Sequence, residues 1–241
     1  MSMFLDERER PQINITAQLK KPTAYSIALE NEYSHIAFSE ERAPLNKGLW
    51  REKVFSIPKD QSKEFPIDVE IGTGAGTHFA HQAVKNNDRG LVGIELKYKP
   101  LIQTIRRAKV NGAKYAAVCR YHVFNIDLLF TKEEINNVYI HFPDPWTSPR
   151  KPKNRIVSER MLNVLYDLQR PGSFIEFKTD SREAFLWCLE EIAKSKYKIE
   201  YQTLNLHAES NEYKENNFQT TFEKIFIREG ADINYIKLVK N

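Results

Sequence analysis

Three alternating glycines after a short apolar segment constrain this chain more than any other feature. In residues 67–71, the apolar side chains of Val69 and Ile71 alternate with acidic ones, as in a strand. Residues 77–84 have apolar side chains at helical spacing. A strand, a glycine-rich turn and a helix form the first unit of a nucleotide-binding α/β sheet. Because glycine has no Cβ, a ligand can approach such a turn closely. The glycines are Gly72, Gly74 and Gly76.

The residues around this turn indicate the charge of its ligand. Thr77 stands where the dinucleotide fingerprint G-x-G-x-x-G has its last glycine. Glu70 directly precedes the turn and suits a cationic ligand better than a phosphate, and S-adenosylmethionine carries an ammonium and a sulfonium group. Glu95 follows at about the 20-residue spacing at which an acid binds the ribose hydroxyls of a nucleotide. Turn and acid together indicate an adenosine-containing ligand, whereas the turn alone fits an ordinary strand-to-helix connection equally well.

The size and composition of the chain favour one large α/β domain. The chain has 241 residues, 41% of them hydrophobic and 28% charged, with a formal net charge of +4. These proportions are typical of a globular protein with a full core. Cys119 and Cys188 have no Cys-x-x-Cys partner, so we expect two reduced core thiols and a cytoplasmic protein. We find no apolar run long enough for a membrane span and no signal-peptide pattern at the N-terminus.

Strand and helix patterns alternate from residue 66 onward. This alternation predicts an α/β fold, a doubly wound, mostly parallel sheet with an antiparallel C-terminal edge. Residues 1–65 are polar and interrupted by prolines, and we expect an N-terminal arm and lead-in segment that is a candidate for RNA contact, before a domain at 66–241. The predicted strands after residue 72 are 91–95, 115–124, 137–142, 173–178, 198–206 and 221–228, and the predicted helices are 77–84, 98–110, 161–168 and 181–193.

Acidic residues stand at the ends of five successive predicted strands. In a parallel sheet the carboxyl ends of the strands meet at one edge, where ligands bind. A single acid at a strand end is usually a helix cap. Five of them on one edge are hard to explain by capping alone, and they predict a site for cationic groups. They are Glu70, Glu95, Asp127, Asp144 and Asp180.

The segment Phe142-Pro-Asp-Pro-Trp146 is the most specific motif of the chain. Two prolines restrict the backbone on either side of Asp144, and Trp146 places a large ring beside that carboxylate. A basic run follows at residues 150–155. An acid can accept from the N–H groups of a base, an aromatic ring can stack on it, and cations can follow a phosphate backbone. The motif therefore favours a nucleic-acid substrate, although a rigid surface turn with a solvated charge run has the same pattern.

Taken together, these motifs resemble the tRNA (guanine-N7)-methyltransferase family. The resemblance covers residues from about 65 to 230, in the family's order. It implies a Rossmann-like class I methyltransferase that uses S-adenosylmethionine and methylates N7 of a guanosine in the tRNA variable loop. The matching segments are Glu70-Ile-Gly-Thr-Gly74, Gly93-Ile-Glu95, Asn125-Ile-Asp127, Phe142-Pro-Asp-Pro-Trp146, Phe177-Lys-Thr-Asp180 and Thr220-Thr-Phe-Glu223.

The resemblance also implies a role for each matching residue. Glu70 and the glycine turn would hold the methionine end of the cofactor, Glu95 its ribose, and the segment 125–127 its adenine. Asp144 would lie between cofactor and guanine and act in catalysis. The implied cofactor-binding residues are Glu70, Gly72, Gly74, Gly76, Glu95, Asn125, Ile126, Asp127 and Asp144, and the substrate-binding candidates are Asp180, Thr220, Thr221, Phe222, Glu223, Arg150 and Lys151.

One departure from the family pattern keeps other functions open. Ser148 stands where the family usually has a lysine, and Thr147 replaces the usual proline. The alternatives are a class I methyltransferase acting on another RNA or a small molecule, a nicotinamide-dependent oxidoreductase, and a non-catalytic RNA-binding subunit. Thr77 and the acids at the strand ends argue against the oxidoreductase. We expect tRNA as the partner, no membrane, no metal, and a monomer or homodimer without an obligatory partner subunit.

Overall fold

A computed structural model describes residues 10–146 and 154–241 of the chain. Within them, eight strands form one sheet in the order β1-β4-β3-β2-β5-β6-β8-β7. All neighbouring strands are parallel except β8, which runs antiparallel between β6 and β7. The strands are β1 (Ala37–Phe38), β2 (Ile67–Ile71), β3 (Gly90–Glu95), β4 (Ala116–Arg120), β5 (Val138–His141), β6 (Phe174–Thr179), β7 (Lys198–Thr203) and β8 (Asn234–Val239).

Helices cover both faces of the sheet, which confirms the doubly wound α/β fold. Successive residues of β3 point to opposite faces: Leu91 packs with α1, α3 and α4, whereas Val92 packs with the buried side chains of α5 and α6. None of the helices in the described ranges is long and apolar enough to cross a bilayer. The helices are α1 (Ala24–Glu30), α2 (Lys59–Ser62), α3 (Thr77–Lys85), α4 (Tyr98–Val110), α5 (Glu159–Leu168), α6 (Arg182–Ile192), α7 (Glu212–Glu215) and α8 (Thr221–Arg228).

Two predicted strands differ from the structure. The segment 221–228 is the helix α8, because Thr220 and Glu223 form a reciprocal capping box at its start. The predicted strand 115–124 ends at Arg120, whose guanidinium lies over the Tyr98 ring and pairs with Glu40. The chain leaves the sheet there and continues as a short 3₁₀ helix at residues 123–128.

The segment before β2 contains more regular structure than its sequence predicts. It supplies α1, α2 and the strand β1, which pairs with β4 in parallel. Trp50 is fully buried, its ring stacks on Phe130, and its indole N–H donates to the Leu129 carbonyl. Trp50, Phe55 and Ile57 from this segment therefore belong to the hydrophobic core. The predicted role of residues 1–65 in RNA contact stays a prediction.

Candidate active site

A cavity of about 1290 Å³ lies at the carboxyl ends of β2 and β3, beside the loop that follows β5. Most of the residues that the sequence predicts for the site line this one cavity. They come from the glycine turn, from the ends of β2 and β3, from the segments that follow β4 and β5, and from the start of α8. The predicted residues in its lining are Glu70, Gly72, Gly74, Glu95, Asp127, Asp144, Thr220, Thr221 and Phe222.

The glycine turn has two parts with different surroundings. Gly72 has φ +74°, and a Cβ added there would meet nothing within 4 Å, so its backbone faces open space in the cavity. Gly76 has φ +70° and precedes α3, where an added Cβ would lie 2.5 Å from Thr104 Cα. Gly72 therefore leaves room for a ligand, whereas Gly76 allows α3 and α4 to approach closely.

Backbone N–H groups hold the Glu95 carboxylate in place at the end of β3. Oε1 accepts from the amides of Leu96 and Lys97, at 2.9 Å each. Oε2 accepts from the Gly74 amide at 3.3 Å, and this hydrogen bond links the end of β3 to the glycine turn. A carboxylate fixed in this way is available to hydroxyl donors at the cavity without a further loss of side-chain freedom.

Glu70 is buried at the end of β2, with its side chain 4% exposed. Its Oε2 lies 2.7 Å from Nδ1 of His78, which belongs to α3. Both side chains also contribute to the cavity wall. The cavity wall therefore contains a buried carboxylate, with the His78 imidazole in hydrogen-bond contact beside it.

Asp127 reaches the cavity from the 3₁₀ helix that follows β4. Both of its carboxylate oxygens accept from the Arg10 guanidinium, at 2.8 and 2.7 Å. The neighbouring Asn125 does not line the cavity, and its amide donates to the Pro11 carbonyl. Ile126 is fully buried in the core. Of the three residues predicted to flank adenine, the structure brings Asp127 alone to the cavity wall.

The loop after β5 presents Asp144, which is exposed and lines the cavity. Phe142 has φ +50° and Trp146 has φ +43°, so bulky residues adopt the left-handed region on both sides of the Pro-Asp-Pro segment. Such conformations cost on the order of 1 kcal/mol each, and they cluster at functional sites. Arg155 supports the loop by donating to the Trp146 carbonyl at 2.9 Å. It is buried and stacks on Trp187, so it positions this loop, although its sequence context suggested a phosphate contact.

The start of α8 forms another side of the cavity. Thr220 and Thr221 line it, and Phe222 is 49% exposed beside Gly74. Glu223 does not line the cavity: it is fully buried and paired with Lys178 at 2.9 Å. Asp180 also lies outside the lining, at the end of β6. The structure thus gives Glu223 a structural environment, and substrate contact by Asp180 or Glu223 stays a prediction.

The predicted contacts at Arg150 and Lys151 lie outside the described residues, as do Thr147 and Ser148. Two further basic residues lie near the C-terminal end of α4: Arg106 stacks on Tyr33, and Arg107 donates to the Ala75 carbonyl of the glycine turn. Both therefore have structural partners within the described chain, although the side chains are largely exposed.

The sequence did not predict a role for two histidines that line the cavity, His78 and His141. The His78 and His141 rings lie 4.3 Å apart, and His141 Nε2 lies 2.8 Å from the Glu176 carboxylate. Within the described residues, donor atoms of His78, His141 and Glu176 come within 4.8 Å of one another, a spacing that a metal ion can bridge. In the sequence, the indication of a role for His78 is its position in the first turn of the helix after the glycines. Its contact with Glu70 is visible only in the folded structure.

Comparisons with known proteins agree with this geometry. The family model described as "Putative methyltransferase" matches residues 64–236. A tRNA (guanine-N7)-methyltransferase of Bdellovibrio bacteriovorus is 58% identical over 214 residues, which cover 89% of this chain and 100% of that protein. An enzyme of the same name from Clostridium botulinum is 32% identical, with 83% of this chain and 90% of that protein covered.

Solved structures resemble the fold at low sequence identity. The 16S rRNA methyltransferase KamB superposes with a TM-score of 0.54 at 15% identity, covering 74% of this chain and 90% of that one. An antibiotic-related methyltransferase gives a TM-score of 0.52 at 17% identity, covering 76% and 93%. These two structures bear on the fold alone. From the sequence matches, together with the acids and the glycine turn around one cavity, it follows that the chain belongs to the tRNA (guanine-N7)-methyltransferase family.

Proposed function

We propose that this protein transfers a methyl group from S-adenosylmethionine to N7 of a guanosine in the variable loop of tRNA. One observation carries the proposal most directly. Glu70, Glu95, Asp127 and Asp144 come from four separate parts of the chain and line a single cavity with the glycine turn. This negative rim suits a donor with ammonium and sulfonium groups, and then a purine ring that becomes cationic.

The residues of the cavity fit the cofactor. Glu70 offers a buried carboxylate for the ammonium group, and the open backbone at Gly72 leaves room for the methionine end. Glu95 has its carboxylate fixed by three amides and is suited to the ribose hydroxyls. In this proposal Asp127, whose oxygens also accept from Arg10, accepts a hydrogen bond from the adenine amino group. When bound, the cofactor supplies an electrophilic methyl group on a positively charged sulfur.

The protein's contribution to the reaction is alignment and electrostatics. Guanine N7 has a free lone pair, so no side chain needs to remove a proton before attack. The ring gains positive charge during the transfer. Asp144, accepting from the guanine N–H groups, binds the ring more strongly as that charge develops, which lowers the barrier. The left-handed residues on either side of the Pro-Asp-Pro segment restrict the direction of this carboxylate.

Exposed aromatic side chains at the cavity suit a base that has left its stack. Trp146 is 36% exposed and Phe222 is 49% exposed, and both line the cavity. Aromatic rings of this kind stack on splayed bases in RNA-binding proteins. We place Thr220 and Thr221 at the same guanine, and Asp180, Arg150 and Lys151 in further contacts with the tRNA, whereas the buried Glu223 supports the start of α8 from within. The protein would act in the cytoplasm as a monomer or homodimer, without an obligatory partner subunit.

Transfer of labelled methyl groups to bulk tRNA tests the function. The purified protein should label tRNA in the presence of S-adenosylmethionine, and digestion should release the label as 7-methylguanosine. Transcripts in which the variable-loop guanosine is replaced should take up no label. Label in a different nucleoside would contradict the proposed position, and binding of tRNA without any label would indicate a non-catalytic subunit.

The role of Asp144 has its own test. Asp144→Asn keeps the size of the side chain but removes its charge, so we expect kcat to fall by about 10²–10³-fold. The Kd of S-adenosylhomocysteine should change by less than ~3-fold, which is under about 0.7 kcal/mol. Asp88→Asn, at an exposed position after α3, serves as the control. A turnover close to that of the native protein would remove Asp144 from catalysis.

A further inference from the structure

A chain of hydrogen bonds runs along one face of α3 and ends on Glu70. Asn86 Nδ2 donates to Gln82 Oε1 at 2.8 Å, and Gln82 Nε2 lies 3.2 Å from His78 Nε2. His78 Nδ1 lies 2.7 Å from Glu70 Oε2. Residues 78, 82 and 86 are four apart and therefore share one face of the helix. The relay connects the surface end of α3 to the acid at the floor of the cavity.

The order of donors in this relay assigns a hydrogen-bond role to each ring nitrogen of His78. The carbonyl oxygen of Gln82 accepts from Asn86, so its NH₂ group faces the imidazole. An NH₂ group can only donate, and His78 Nε2 must therefore accept. The single ring proton lies on Nδ1 and is donated to the Glu70 carboxylate.

We propose that His78 is a positioning residue, which aims the Glu70 carboxylate at the ammonium group of the cofactor without cancelling its charge. This inference rests on the proposed function. Within the described residues, Glu70 Oε1 receives no hydrogen bond and is left for the ligand. A lysine or arginine in place of His78 would also hold Glu70, but its positive charge would repel the ammonium group. A neutral donor orients the acid and preserves the attraction.

The rings nearest to His78 carry no positive charge. His141 from β5 lies 4.3 Å from it, and Tyr139 from the same strand lies 5.1 Å away, both measured between ring centroids. Burial, followed by the charge of Lys178, holds the pKa of His141 well below its usual value, so His141 is neutral. Glu176 and Lys178 from β6 face His141, and His81 on α3 stacks on Phe218.

The cluster of His78, His141 and Glu176 could instead hold a metal ion. The hydrogen bonds of these residues distinguish between the relay and a metal site. His78 uses both ring nitrogens in the relay, and His141 uses Nε2 toward Glu176. His141 Nδ1 is buried without a partner among the described residues. A metal would have to displace two or more of these hydrogen bonds. The geometry therefore favours the relay, and the metal content of the purified protein becomes one arm of the test.

The test compares two ligands that differ in the amino-acid group. S-adenosylhomocysteine carries the ammonium group, whereas 5′-methylthioadenosine has the adenosine and sulfur without it. Calorimetry should give Kd values for both ligands with the native protein and with His78→Leu, His78→Asn and Glu70→Gln. His81→Leu, one turn along α3 and outside the relay, is the matched control. Thermal unfolding establishes which variants are folded.

We expect His78→Leu to weaken S-adenosylhomocysteine by about 10-fold or more, the scale of a hydrogen bond to a charged group. Its affinity for 5′-methylthioadenosine should stay within ~2-fold, because that ligand makes no contact with Glu70. His78→Asn retains a donor near the Nδ1 position and should recover most of the affinity. If His78→Leu fails to fold, His78→Gln replaces it, since its amide reaches the Nε2 position and leaves Glu70 without its donor.

Each of the following results would overturn the inference. Equal losses for both ligands in His78→Leu would indicate a general structural role, and equal affinities of the Asn and Leu variants would exclude the donor. A stoichiometric transition metal that depends on His78 and His141 would make them ligands. If Glu70→Gln weakens S-adenosylhomocysteine but His78→Leu does not, only this inference fails. If the native protein binds neither ligand, the proposed function fails as well.

Discussion

Lys178 on β6 and Glu223 on α8 form a buried ion pair, and both side chains are 0% exposed. Lys178 Nζ also donates to Asn217 Oδ1 and to the Phe218 carbonyl, and Glu223 accepts from Asn217 and contacts His207. Each of these two buried charges is compensated by its partners, and removing one charge leaves the other uncompensated. This arrangement explains why Glu223 lies in the motif without reaching the cavity: it fixes the start of α8, which carries Phe222.

Glu223→Gln should therefore destabilise the protein. We expect a loss of about 3 kcal/mol in the free energy of unfolding, because Lys178 keeps its charge in a buried environment. Urea denaturation measures this loss. Glu200→Gln breaks the partly exposed pair with Lys237 and should cost less than ~1 kcal/mol. Equal losses in the two variants would show that the buried pair has no special weight.

Glu176 makes stability depend on acid pH. Burial raises the pKa of its carboxyl, but the hydrogen bond with His141 and the charge of Lys178 outweigh burial and lower the pKa from 4.5 to about 2. The unfolded chain therefore takes up this proton at higher pH than the folded one. The stabilisation by Glu176 is present above pH 4.5 and is lost as pH falls toward about 2. The depressed pKa of His141 acts in the same direction below its usual value of 6.5.

Denaturation across this range tests the linkage. The free energy of unfolding of the native protein should decrease from pH 4.5 toward about 2, and the profile of Glu176→Gln should be flatter there. Glu200→Gln, at a partly exposed position, should keep the native slope. Parallel profiles for the native protein and Glu176→Gln would contradict the assignment.

At the scale of elements, the packing of α3 on α4 gives the glycine turn its shape. Gly76 is the residue before α3 and lies against Thr104 of α4, and the hydroxyl of Thr73 in the same turn lies 2.9 Å from that of Thr104. Gly93 in β3 is equally confined, because an added Cβ would lie 2.7 Å from Thr73 Cγ2. The turn is thus fixed from two sides, and its first glycine is left open toward the cavity.

Alanine substitutions should separate these two uses of glycine. Gly76→Ala places a Cβ 2.5 Å from backbone at a left-handed φ, and we expect a loss of more than ~2 kcal/mol in stability. Gly72→Ala has the same backbone strain but open space, so its loss should be about 1 kcal/mol. Gly72→Ala should instead weaken binding of S-adenosylhomocysteine. Chemical denaturation measures the loss of stability, and calorimetry measures ligand binding. A larger loss of stability in Gly72→Ala than in Gly76→Ala would show that the turn repacks around the added Cβ.

The helix α8 shows where local patterns mislead. Its aromatic and β-branched residues suggested a strand, although Phe222, Ile225 and Phe226 also have helical spacing. The capping box of Thr220 and Glu223 decides for the helix. Its apolar face then packs toward the loop of the Pro-Asp-Pro motif, with the Phe142 and Phe226 rings 5.5 Å apart.

For the molecule as a whole, the N-terminal segment is joined to the sheet by contacts that span the sequence. Arg10 binds Asp127, Asn125 donates to the Pro11 carbonyl, and Arg120 donates to the Asn14 carbonyl. Pro11 also lines the cavity. The segment therefore crosses the carboxyl ends of the strands at the place where we position adenine.

Removing the Arg10 charge should change the binding of the cofactor. In Arg10→Gln both oxygens of Asp127 become available to the adenine amino group, so we expect S-adenosylhomocysteine to bind about 3-fold more tightly, the scale of one modest hydrogen bond. Calorimetry measures the change, with Lys85→Gln at the exposed end of α3 as the control. Weaker binding would mean that Arg10 closes over the ligand and does not compete with it.

The sequence by itself determined the sheet, the glycine turn and the acidic rim. These follow from local rules: the alternation in β2, the need for glycine at Gly72, and the fixed direction of parallel strands that brings Glu70 and Glu95 to one edge. Only the tertiary structure decided that His78 binds Glu70, that Glu223 is buried and that Arg10 occupies Asp127. Those contacts join residues 8 to 117 positions apart, and packing in three dimensions, which no local pattern encodes, selects them.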